Sequence, residues 1–153
     1  MAMEIVEKQF LSVESLLSYK ARTTYEKLDK LISHVDESLP LLGLKRVGNT
    51  LFTISEHKYG CDEPILDVEI MIPIDSAFKS NEYYVYKPKV VLTNALKKRC
   101  SYNFTDIFEA RTEMQQYIYM NERKPLTEFF YKIIESGNME AVDIYIGINE
   151  NIV

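Results

Sequence analysis

Cysteine, histidine and tryptophan are almost missing from this 153-residue sequence: two, two and none. Cys61 and Cys100 have no CxxC neighbour, and His34 and His57 are the two imidazoles. A zinc site needs three or four ligands, so no metal spacing appears, and neither metal nor cofactor is expected. The thiols read as reduced cysteines of a cytoplasmic protein, because stable disulfides belong to oxidising compartments. A basic excess is lacking too: 18 Lys+Arg against 23 Asp+Glu give a net charge of −5. That argues against a general nucleic-acid binder, which shows a basic excess on at least one face, while a local basic patch stays open because net charge says nothing about distribution. The basic triplet Lys97-Lys98-Arg99 reads as a solvated strand end or loop, too short to argue for nucleic acid. No apolar run approaches the ~18 residues that span a bilayer, and Glu4, Glu7 and Lys8 interrupt any signal-peptide core. Catalytic signatures are absent as well: there is no G-x-S-x-G, P-loop or H-E-x-x-H. Cys100, with only a distant histidine, reads as a buried structural thiol. No catalytic residue is assigned, and the chain is expected not to be an enzyme.

What remains is a globular composition. Hydrophobic residues make up 46% and charged residues 27%, with eleven tyrosines, a balance that separates the chain from disordered sequences. One domain, residues 1–153, is expected.

Along the chain, 10–20 reads as a strand. Thr23 and Glu26 have capping-box spacing. Tyr25, Leu28, Leu31, Ile32, Val35 and Leu39 then recur at helical spacing, which predicts a helix over about 24–38 closed by Pro40 and Gly43. His34 on that helix reads as a surface or boundary residue. Residues 51–55 alternate at period 2. A polar stretch follows over 57–64, and then the strand 65–74, with Leu66, Val68, Ile70, Ile72 and Ile74 on one face and Asp67, Glu69 and Met71 on the other. Pro73 suits that strand's end. Residues 83–96 read as extended, with Pro88 marking a break. Asn103 or Thr105 caps a second helix bearing Ile107, Phe108, Met114, Tyr117 and Ile118, which ends before Pro125. A second hairpin, 129–135 and 141–148, turns at Ser136-Gly137-Asn138.

The order strand, helix, hairpin therefore occurs twice, with repeat one over about 1–75 and repeat two over about 76–153. Val68-Glu69-Ile70-Met71-Ile72 lies beside Val142-Asp143-Ile144-Tyr145-Ile146 at an offset of 74. Glu69 and Asp143 hold the same place in each. Two readings of these acids stand. One is the solvated outer face of an antiparallel sheet. The other is a shared, partly desolvated cleft, where a carboxylate needs a cation or a donor and neighbouring rings attract a cationic amphiphile. In the cleft reading two close acids have raised pKa values, and Lys132 is the side chain that could neutralise them. Tyr145 shares the face of Asp143; Tyr131, Ile133 and Glu135 share one face of the adjacent strand. Tyr83, Tyr84 and Tyr86 fall near the join of the halves, as ordinary sheet packing, a cleft entrance or a self-association surface.

The stretch LDVEIMIPID (66–75), with its echo VDIYIGI (142–148), resembles the GyrI-like effector-binding domain, and the resemblance runs over nearly the whole chain. It implies an α+β fold of tandem strand–helix–hairpin units, an antiparallel sheet with two helices on one face. It also implies a ligand cleft lined by Glu69, Tyr131, Asp143 and Tyr145, with Asp67 and Met71 nearer the rim. Tyr131 stands where regulators of the family carry a cleft glutamate. The absence of tryptophan departs from relatives thought to be hydrolases. With no helix-turn-helix ahead of the domain, direct contact with nucleic acid is not expected. The implied function is non-catalytic binding of a small amphipathic ligand, a cation among the candidates, by a bacterial, cytoplasmic protein. The alternative is a protein-interaction or adaptor protein of a bacterial secretion or toxin system, with a protein partner in the same cleft. Self-association into a homo-oligomer is compatible with either.

Overall fold

The computed structural model describes residues 4–57, 65–136 and 139–149. The 58–64 stretch with Cys61, and Gly137 and Asn138 of the predicted second turn, lie outside the described residues. The fold is α+β: six antiparallel strands and two α-helices. β1 (Val6–Thr23) leads into α1 (Tyr25–Ser38), then β2 (Leu51–His57) and β3 (Ile65–Pro73). β4 (Tyr84–Ser101) leads into α2 (Phe104–Met120), then β5 (Phe130–Ser136) and β6 (Met139–Gly147). Among the described residues no helix is long and apolar enough to cross a membrane.

Both helices form where the apolar spacing predicts them; the cap of α2 is one of the two residues expected, whereas the cap of α1 differs from expectation. The N-cap of α1 is Thr24, not Thr23, and it makes no side-chain cap hydrogen bond; the predicted box with Glu26 does not form. Asn103 caps α2, its side chain accepting the Asp106 N–H, which satisfies one of the donors a helix start leaves open. Ile107, Met114 and Ile118 are buried beneath α2 together with Ala110, which the sequence reading omitted, whereas Phe108 is 37% exposed. β4 runs straight through Pro88. That residue is exposed, and a strand tolerates proline where no ladder bond needs its missing N–H.

The chain forms two compact units: Val13–Val90, and the chain up to Ser12 together with that from Val91 onward. β1 and β4 therefore each pass from one unit to the other. In the first unit β3 lies between β1 and β2, with Lys20 and Thr53 opposite Glu69. In the second, β6 lies between β4 and β5, with Arg99 and Lys132 opposite Asp143.

The internal wiring of the two units matches residue by residue. Residues of β1, α1 and β2 find their counterparts 79 positions on, and those of β3 find theirs 74 on. Arg46 bridges Ile74 as Pro125 bridges Ile148. Lys45 N–H donates to the Asp75 carboxylate (3.0 Å) as Lys124 N–H donates to the Asn149 amide oxygen (2.7 Å). The change of offset falls wholly in the hairpin connections, which span seven residues (58–64) in one unit and two (137–138) in the other.

Each unit buries the aliphatic face of its strands beneath its helix. Leu66, Val68, Ile70 and Ile72 of β3 lie with Phe52 and with Leu28 and Val35 of α1, all at most 3% exposed. The corresponding face of the second unit carries Val142, Ile144 and Ile146. Here Lys98, opposite Ile144, reaches Glu113 of α2 at 2.8 Å. Lys98 is 5% exposed, so it is no solvated strand end; its stem lies in the core and its ammonium is paired with an acid at the edge.

Candidate functional site

The face away from the helices is where the sequence concentrates its polar strand residues. In the first unit it presents cross-strand rows: Arg22, Asp67 and Ser55; then Lys20, Glu69 and Thr53; then Ser18, Met71 and Leu51. Around Glu69 the face is largely buried except at Lys20, which is exposed. Ser18 is 2% and Thr53 4% exposed, and the Glu69 side chain is 13% exposed. A carboxylate in such a place needs compensation, and it receives it on one oxygen. Ser18 hydroxyl donates to Glu69 Oε2 at 2.5 Å, and Lys87 Nζ lies 2.5 Å from the same atom. Burial raises the Glu69 pKa. The hydrogen bonds from Lys87 and Ser18, with the charges of Lys87 and Lys20, outweigh it and hold the carboxyl below its ordinary value. The expected raised pKa is therefore reversed at Glu69, because a lysine from β4 supplies the counter-charge. Glu69 Oε1 has no hydrogen-bond partner among the described residues.

Lys87 is placed by its neighbours. Tyr84 stacks on Tyr19 at 5.5 Å and donates its hydroxyl to Ser38 Oγ of α1 (3.2 Å). Tyr86 donates to Ser15 Oγ (3.3 Å) and meets Phe78 edge-on. Strand alternation then turns Lys87 to the other side, toward Glu69. Tyr83 stays 65% exposed. Ser18, Lys87, Lys20 and Thr53 were all missed as site residues from the sequence. Ser18 had a signal, a lone hydroxyl following Leu16-Leu17; Lys87 had none.

The second unit handles its acid differently. Asp143 is 3% exposed. Arg99 grips both of its oxygens, Nε to Oδ1 at 2.6 Å and Nη2 to Oδ2 at 3.0 Å, the bidentate geometry that makes Arg–carboxylate pairs strong. The guanidinium pKa is raised by that contact. Lys132 stands opposite in register. Tyr145 neighbours this pair on the same face, 6% exposed, and burial and the Asp143 charge push its hydroxyl pKa up.

Three other predicted site residues take places of their own. Tyr131 pairs with Ile144, not Asp143, so its ring lies on the helix side of the sheet. It is the counterpart of the fully buried Phe52, and at 1% exposure it is core. Met71 does share the Glu69 face, but it is fully buried and not at a rim. Asp67 is half-buried and held by Arg22 Nε at 3.0 Å.

The thiol of Cys100 is free and half-buried, and burial pushes its pKa up to about 11. Among the described residues no group of three or more His, Cys, Asp and Glu side chains could hold a metal ion.

The sequence matches no protein-family model and no curated protein. Solved structures do share its fold. The EcmrR C-terminal domain is 15% identical with a TM-score of 0.69, the alignment covering 99% of this chain and all of that one. EcmrR in its DNA complex is 12% identical with a TM-score of 0.73 over 96% of this chain, which spans 58% of the EcmrR chain. An uncharacterised conserved protein from Listeria innocua is 9% identical with a TM-score of 0.56, covering 94% and 93% of the two chains. The likeness supports the GyrI-like α+β fold that the LDVEIMIPID stretch implied.

Proposed function

We propose that this chain is a non-catalytic binding domain and that it takes a small amphipathic molecule on the helix-free sheet face of the first unit, at Glu69. One observation carries the reading: a mostly buried carboxylate whose Oε2 accepts two donors while Oε1 accepts none from the described residues. Oε1 is not one of the buried unpartnered atoms and so keeps contact with solvent; a ligand O–H or N–H can reach it there and complete the hydrogen bonding of the carboxylate. Asp143 offers no such opening, since Arg99 occupies both of its oxygens. The shared fold with the EcmrR C-terminal domain is compatible with binding, but a fold hosts many functions and the site has to carry the argument.

The pKa directions give no support to Glu69 as a general acid or to Cys100 as a nucleophile. A general acid needs a raised carboxyl pKa, and Glu69 is held below its ordinary value. A thiol nucleophile needs a lowered one, and Cys100 is pushed up to about 11.

The test is a titration of small amphipathic alcohols, amides and amines followed through the backbone amide NMR signals of β3. Binding compounds shift the signals around Glu69, and Glu69→Gln weakens them by about tenfold or more, the value of one hydrogen bond to a charged acceptor. Binding untouched by Glu69→Gln puts the site elsewhere.

A further inference from the structure

Lys87 does more than neutralise a buried acid. It arrives from β4, outside the β1–β3–β2 ladder that holds Glu69, and two anchored tyrosines that precede it on the strand, Tyr84 and Tyr86, aim it there. Its ammonium stands where the charged end of an organic cation would stand, against Oε2. Lys20 adds a second positive charge from the opposite position on β1. A visitor to the open Oε1 therefore meets a carboxylate whose charge is already balanced, with two ammonium groups close by.

We infer that Lys87 is the specificity-determining residue of the Glu69 site: it acts as a tethered cation that turns away ammonium ligands and leaves a place for neutral hydroxyl or amide donors. This rests on the binding reading above and names its ligand class. An incoming ammonium at Oε1 gains little from a neutralised carboxylate and is repelled by Lys87 across a few ångströms, in a setting less screened than bulk water. A hydroxyl makes the same hydrogen bond without the repulsion. The lysine is pre-organised by its strand, so no ordering cost falls on the discrimination.

The experiment uses a matched pair of probes, 2-phenylethanol and 2-phenylethylammonium, titrated into the full chain and read at the β3 amide signals. In the wild type the alcohol is expected to bind about tenfold more tightly than the ammonium. In Lys87→Met the ammonium gains about tenfold while the alcohol changes by less than about threefold. Lys87→Gln, which keeps a donor for Oε2 and removes only the charge, gives the same reversal if the methionine variant folds poorly. Lys87→Arg retains the wild-type preference. Equal affinities in the wild type, or an unchanged ratio in both uncharged variants, overturn the role of Lys87. In that case alcohol binding that weakens in Glu69→Gln still upholds the binding site. Absence of any β3 response to either probe, in the wild type and in both uncharged variants, overturns the site and the gate together.

Discussion

Glu69 and Asp143 stand at the same register position of their units, yet they are compensated from different directions. Arg99 is 45% exposed at its side chain while Asp143 is 4% exposed, so the two partners are not equivalent. Arg99→Ala strands a carboxylate that water cannot reach and is expected to cost about 2–3 kcal/mol. Asp143→Ala leaves a guanidinium free to turn into solvent and should cost about 1 kcal/mol. Urea denaturation of both variants checks the order; equal losses would mean that Lys132 takes over from Arg99. Glu69 gives a pH signature. Its folded pKa lies below the unfolded value, so the folded state favours the ionised form. The stability this adds is complete above the unfolded carboxyl range and is lost as pH falls through the folded pKa. Melting temperatures of wild type and Glu69→Gln should therefore differ most near neutrality and converge as pH drops below about 4.

The helix ends show how two equivalent elements solve one problem with different residues. Leu44 N–H donates to Leu39 O and Gly43 N–H to Pro40 O after α1; Arg123 N–H donates to Ile118 O and Glu122 N–H to Tyr119 O after α2. This wiring places one left-handed residue past the 3₁₀ turn Pro40–Leu42 that follows α1, and a second one two residues past the end of α2. Gly43 adopts it at φ 72° without penalty, whereas Glu122 adopts it at φ 53° with a Cβ. Glu122→Gly should raise stability by about 0.5–1 kcal/mol, the left-handed strain exceeding glycine's extra unfolded entropy; a denaturant midpoint measures it. A second such exchange joins strand and loop. A Cβ on Gly48 would lie 3.2 Å from the Pro73 side chain, and one on Gly147 would lie 2.9 Å from Thr127 Cγ2. These are corresponding pairs with the glycine on opposite members. Thr127 also accepts the Gly147 N–H at 2.9 Å, a donor that Pro73 lacks.

Across the whole chain, the five-residue difference between the two hairpin connections leaves both ladders in equivalent register. The β2–β3 register is thus held by pairing and burial, since a one-residue slip would carry Ile70 and Phe52 out of the core. Replacing 58–64 by a Gly-Asn pair, as at Gly137-Asn138, is expected to keep the Phe52–Ile70 pairing and to add up to about 1 kcal/mol from shorter loop closure. Cross-strand NOEs and a thermal melt check the two parts. A shifted register would show that the longer connection itself sets the pairing.

Much of the fold was legible in the sequence because its signals are local. Period-2 alternation gave β3 its two faces, helical spacing gave α1 and α2, and the V-acid-I echo exposed the doubled architecture and the matched acids. The site was less legible because its chemistry is carried between strands. Phe129, Phe130, Tyr131, Ile133 and Ile134 show no clean alternation, so only the pairing of Tyr131 with Ile144 assigns that ring to the core. Lys97-Lys98-Arg99 reads as a solvated charge run, yet alternation sends Lys98 beneath α2 and Arg99 onto Asp143. Sequence by itself determined which residues alternate, where helices start and stop, and that two carboxylates hold equivalent places. Tertiary structure alone decided their chemistry, because a carboxylate's protonation and reach depend on the cations folded against it, and Lys87 comes to Glu69 from a strand that periodicity does not connect to it.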